Sequence, residues 1–170
     1  MDEHKCPACS GDRDVKRSTM AAYDAQWGSH DENAASERRK RLSSVSDPLI
    51  SMVLPLTGKV VVDLGMGTGT LAFRALEVSP PSRMIGVDFS SHGLRVARAV
   101  SRHSRFKDMD VELVKGDMEQ LPIARRSADV VVSQATVNLI PDKRAVFNEI
   151  SRIAKSGARV AISDAFRTTQ

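Results

Sequence analysis

The chain has 170 residues, with 25 lysines and arginines against 21 aspartates and glutamates, a formal net charge of +4 and 4% aromatic residues. A chain of this length buries roughly two thirds of its unfolded surface, enough for one core without disulfide or metal staples. No stretch approaches the roughly 20 apolar residues of a membrane helix, the charged start Met1-Asp2-Glu3-His4-Lys5 is unlike a secretory signal, and dispersed basic residues with few aromatics disfavour a nucleic-acid track.

Residues 1–57 form a polar leader and cap, with only scattered apolar positions before Leu49. It contains Cys6-Pro7-Ala8-Cys9. In a cytoplasmic protein, the location expected here, Cys-x-x-Cys points to a metal knuckle or a redox pair. One knuckle supplies only two of the four ligands of a structural zinc. Three readings therefore stay open: ordinary thiols, a zinc held by Cys6 and Cys9 with His4 or a second subunit, and a dithiol for redox or metalloid chemistry. Further on, Ala34 to Val45 predicts a charged helix whose basic run Arg38-Arg39-Lys40-Arg41 reads as a solvated face. Asp47-Pro48 predicts the cap and first turn of a second, short helix running toward Leu54, which Pro55 and Gly58 end.

Residues 58–170 alternate short β-branched runs with segments of helical period, the pattern of a parallel sheet covered on both faces. Strands are expected at Val60-Asp63, Met84-Asp88, Val111-Val114, Ala128-Ser133 and Ala158-Ser163. Between them, helices should bury Leu71, Ala72, Ala75, Leu76 and Ser79, then Leu94, Ala97 and Val100, then Val146, Phe147, Ile150, Ile153 and Ala154. The expected fold is an α/β, Rossmann-like, doubly wound and mostly parallel sheet in the order 3-2-1-4-5. Right-handed crossovers put the ligand crevice at the carboxyl ends of the strands, where the order reverses. Asp63, Asp88, Asp117 and Ser133 all fall at or just after strand ends.

The turn Asp63-Leu64-Gly65-Met66-Gly67-Thr68-Gly69 lets the backbone pass tightly from strand to helix with no side chain in a ligand's way. A dinucleotide fingerprint has glycine at its first, third and sixth places, whereas here Thr70 stands at the sixth. Asp88, 19 residues beyond Gly69, closes the second strand, where a carboxylate can accept from two ribose hydroxyls; Phe89 follows it.

The acidic residue before glycines 65, 67 and 69 resembles motif I of class I methyltransferases, which implies S-adenosylmethionine as the ligand. The segments Gly116-Asp117-Met118 and Ser133-Gln134-Ala135-Thr136, running on to Asp164, resemble the arsenite methyltransferase branch of small-molecule methyltransferases. The resemblance implies cofactor contacts from Asp63, Gly65, Gly67, Gly69, Asp88, Phe89, Asp117, Met118, Ser133 and Gln134, with Tyr23 closing over the methionine end. Trp27 and His30 are further cap candidates, His30 as a base. That branch carries a cysteine arsenic ligand where this chain has Ala135, and alanine offers no lone pair to a metalloid. Methyl transfer to a small-molecule acceptor, whether thiol, metalloid or quinone-like, is the implied activity; a non-catalytic cofactor-binding subunit and an RNA- or protein-directed methyltransferase are the alternatives. The usual C-terminal β-hairpin of the fold finds no sequence after Ser163, so the fifth strand is expected to meet a second copy, a partner protein or the leader.

Overall fold

The computed structural model describes residues 32–103 and 105–165, with Ser18 and Ala21. Tyr23, Trp27, His30, His4, Cys6 and Cys9 lie outside the described residues, and so do the expectations placed on them. The five β-branched runs become five strands, β1 (Val60–Leu64), β2 (Arg83–Asp88), β3 (Val111–Lys115), β4 (Ala128–Gln134) and β5 (Ala154–Ser163). They form one parallel sheet in the order β3-β2-β1-β4-β5, as the crossover argument requires. Among the described residues, the α-helices α1 (Glu32–Ser51), α2 (Thr70–Val78), α3 (Ser91–Ser101) and α4 (Lys143–Ile153) accompany them.

Alternation along the strands divides the core into two layers. Val61, Met84, Val130, Val132 and Ala161 face one way and pack with apolar residues of α1, α2 and α3, including Ile50, Leu76 and Leu94. Val62, Leu64, Ile85, Val87 and Val131 face the other way and meet Ile123, Val146, Ile150 and Ile153. Asp63, two places after Val61, therefore points into the layer beneath α1 and α2.

Four local expectations change. Residues 32–51 are a single helix with Pro48 inside it, not two helices. Asp47 does not cap; its carboxylate takes both arms of Arg74 of α2, at 2.7 and 2.9 Å. This tertiary pair, together with buried Leu49 and Ile50, outweighs the local preference for a break at proline. Phe147 is 51% exposed, because Val146, Ile150 and Ile153 alone define the buried face of an α4 that begins only at Lys143. Ser79 lies past the end of α2, where its hydroxyl accepts the Leu56 amide, so it is not part of the helical stripe. Gly157 falls within β5 instead of before it, at φ 76°, and the strand starts at Ala154. The pairing shifts there: Ala128 faces Ala154 but Val130 faces Arg159, so β5 accommodates its extra residues by an irregularity that glycine permits.

Candidate functional site

The turn after β1 takes its shape from three left-handed glycines, Gly65, Gly67 and Gly69, at φ 70°, 54° and 85°. Gly65 needs its missing side chain for a second reason. A Cβ there would overlap the side chain of Thr136, which follows β4. Thr136 also donates its hydroxyl toward Gly65 O at 3.3 Å and Gln134 O at 3.0 Å. The two loops that flank the switch point of the sheet are thus in direct contact.

The first three amides of this turn are engaged within the protein. Gly65 N and Met66 N donate to Val87 O at 2.8 and 3.1 Å, and Gly67 N donates to Asp88 Oδ2 at 2.8 Å. The other Asp88 oxygen accepts from Ser90 N at 2.7 Å, so this carboxylate both ends β2 and braces the turn. Asp63 stands behind the same turn. It is 1% exposed, and its Oδ2 is buried without a hydrogen-bond partner among the described residues. Burial, and then the nearby charge of Asp88, push its carboxyl up to about 7, against a smaller opposing effect of the Ala72 amide.

Two openings meet at Gly65, Ala135 and Thr136. The smaller is lined on its far side by Asp88, Phe89, Ser90 and Leu139. The larger, about 340 Å³, runs along Asp63, Met66, Gly67 and Thr68 to Gln134, and is roofed by Arg38, Arg41 and Leu42 of α1. Helix α1 is fastened over it. Besides the Asp47–Arg74 pair, buried Ser46 donates to Gln134 Oε1 at 2.9 Å, and Arg38 Nη1 donates to Thr68 Oγ1 at 3.0 Å.

Of the residues singled out in sequence, Asp63, Gly65, Gly67, Asp88, Phe89 and Gln134 line these openings. Gly69 does not; it caps α2, with Phe73 occupying the space of its absent side chain. Ser133 is fully buried and donates to Leu64 O at 2.8 Å, tying β4 to β1 from within. Asp117 accepts the Glu119 amide at 2.9 Å in its own turn, and Met118 is buried with Leu121 and Ile123 in the opposite layer. Arg38 and Arg41 were not expected at the site. Their run of charge gave no sign of lining a cavity; only the packing of α1 reveals it.

A parallel sheet in this order, with a glycine turn after β1 and a carboxylate closing β2, defines the Rossmann-like fold of the class I methyltransferase type. The methyltransferase domain family matches residues 56–169, and the chain belongs to that family. It is 38% identical over 112 residues to an arsenite methyltransferase of Halobacterium salinarum, covering 65% of this chain and 28% of that protein. Over 106 residues it is 37% identical to a demethylmenaquinone methyltransferase of Lactococcus lactis, covering 62% of this chain and 41% of the relative. The chain thus spans less than half the length of these curated relatives. Among solved structures, a Methanococcus maripaludis protein assigned to the S-adenosyl-L-methionine-dependent methyltransferases superposes with a TM-score of 0.63 at 27% identity, covering 81% of this chain and 65% of that one.

Proposed function

We propose that this chain binds S-adenosylmethionine in the crevice between the β1 turn and the end of β4, and transfers its methyl group to a small-molecule acceptor. The observation that carries the reading is the pairing of a buried, unpartnered Asp63 oxygen with a turn whose first amides are already engaged. A pyrophosphate seat depends on free amides at such a turn. A carboxylate oxygen without a partner suits a cation instead, and S-adenosylmethionine carries an ammonium and a sulfonium. Asp63 would receive the ammonium. Asp88 would face the ribose, since its carboxylate closes β2 and lines the smaller opening, where it can accept from hydroxyl groups. Phe89 and Gly65 would flank the remainder of the adenosine half, and Gln134, held by Ser46, would limit the methionine half.

When bound, the cofactor would supply a methyl group activated by its sulfonium, one that an acceptor lone pair could take up with the carbon–sulfur electron pair left on sulfur. The protein's residues have to orient the two reactants and exclude water, which together lower such a barrier by several kcal/mol. Among the described lining residues there is no histidine, lysine, cysteine or tyrosine to take a proton. An acceptor that arrives already ionised, such as a thiolate whose proton has gone to solvent, fits this lining better than an alcohol or amine. Ala135 lies at the meeting point of both openings and presents only a methyl group, so the acceptor is not held there by a thiolate of the protein.

Calorimetric titration with S-adenosylmethionine and S-adenosylhomocysteine tests the binding, and transfer of a labelled methyl group to a panel of small thiols tests the activity. Both cofactors should bind, with Asp63→Asn and Asp88→Ala each weakening binding at least about tenfold, the scale of one charge-assisted hydrogen bond. Absence of heat for either molecule with the unaltered chain would reject the reading.

A further inference from the structure

The arginines of α1 divide into two sets. Arg39 is buried, 3.3 Å from Glu77, with its guanidinium over the rings of Phe73 and Phe106. Nearby, Arg74 is matched by Asp47 and Arg105 by Glu77. Arg38 and Arg41, one turn apart on α1, have no such match: among the described residues no ion pair joins either to a carboxylate, and Arg38 holds only the neutral hydroxyl of Thr68. Both line the inner cavity. Both also line a second opening of about 360 Å³, with Ala34 and Glu37 of the same helix. Two guanidinium groups that line both cavities without a carboxylate partner among the described residues can receive an anion through their planar forks.

Resting on the proposed methyltransferase reading, we infer that the acceptor is anionic, and that Arg41 together with Arg38 selects it through a carboxylate or phosphate group. Placement favours the acceptor over the cofactor's own carboxylate. Both arginines also line the second opening, which neither Asp63 nor any residue of the glycine turn lines. The apolar side chains of Leu42, Met66 and Leu71 border the inner cavity, so the acceptor's reacting end would be less polar than its anchored end.

The full 170-residue chain is first saturated with S-adenosylhomocysteine; failure to load it overturns the methyltransferase reading itself, and this inference with it. The loaded protein is then offered 3-mercaptopropionate and, separately, its uncharged methyl ester, with binding read by ligand-observed NMR. The carboxylate should bind about tenfold tighter than the ester, and Arg41→Gln should erase the difference. Equal binding of the two, binding of neither, or discrimination that survives in Arg41→Gln would overturn the inference. A control separates the two carboxylates. If Arg41→Gln weakens S-adenosylhomocysteine but not 5′-methylthioadenosine, which lacks the amino-acid tail, the arginine serves the cofactor and the inference fails.

Discussion

Asp63 holds its proton far above the usual carboxylate range because it has lost water and lies near Asp88. Below about pH 7 the empty site therefore contains a neutral acid, and binding an ammonium must expel that proton. Affinity for S-adenosylhomocysteine should rise about tenfold per pH unit up to about pH 7 and then level off, whereas Asp63→Asn should bind weakly with no such slope. Calorimetry across that range, in buffers of different ionisation heat, measures both the slope and the released proton. A second residue-scale prediction concerns Ala135, whose φ of 56° is left-handed without being glycine. That conformation costs a residue with a Cβ roughly 1–2 kcal/mol, so Ala135→Gly should raise stability by about 1 kcal/mol once glycine's greater chain entropy is subtracted. Thermal unfolding reads it directly.

At the scale of elements, the strands and their order were legible because β-branched runs of this length, bounded by glycine and proline, admit few other readings. The glycine turn was legible too, since its sequence dictates its backbone. Helix faces were harder. Phe73 lies between the residues assigned to the core stripe of α2, yet it is fully buried and its ring centre is 4.9 Å from that of Phe106, a partner 33 positions away that no local period discloses. Phe147 was assigned inward and is half exposed. Phe73→Ala should cost about 3–5 kcal/mol, while Phe147→Ser should change stability by no more than about 0.5 kcal/mol; urea unfolding of the two variants checks the contrast. The continuity of α1 through Pro48, and with it the place of Arg38 and Arg41 along the cavity, depended on Asp47 meeting Arg74 across 27 positions. Such pairings are decided by tertiary contact, which a one-dimensional pattern does not contain.

For the whole molecule, the carboxylates pull stability in opposite directions. Asp47, Asp129 and Glu149 are held below their ordinary values by Arg74, Lys155 and Arg152, respectively, so what they contribute is present above the unfolded values of 3.8 and 4.5 and lost as pH falls further. Asp63 acts the other way: between its unfolded value of 3.8 and about 7 the native chain keeps a proton that the unfolded chain releases, so stability falls as pH rises through that window. The free protein should accordingly be most stable near about pH 4–5 and weaken toward neutrality, with the decline reduced in Asp63→Asn and abolished by saturating cofactor. Urea midpoints across that pH range report all three behaviours.

Thr136 sits in the hollow where Gly65 has no side chain, and so clasps one half of the doubly wound sheet to the other at the point where their order reverses. With its floor clasped in this way, the crevice has a fixed gauge. Natural variation that retunes the chain toward a new methyl acceptor then has one economical route: exchanging side chains on the overlying first helix, which can be rewritten like interchangeable tooling while the bed beneath it stays unchanged.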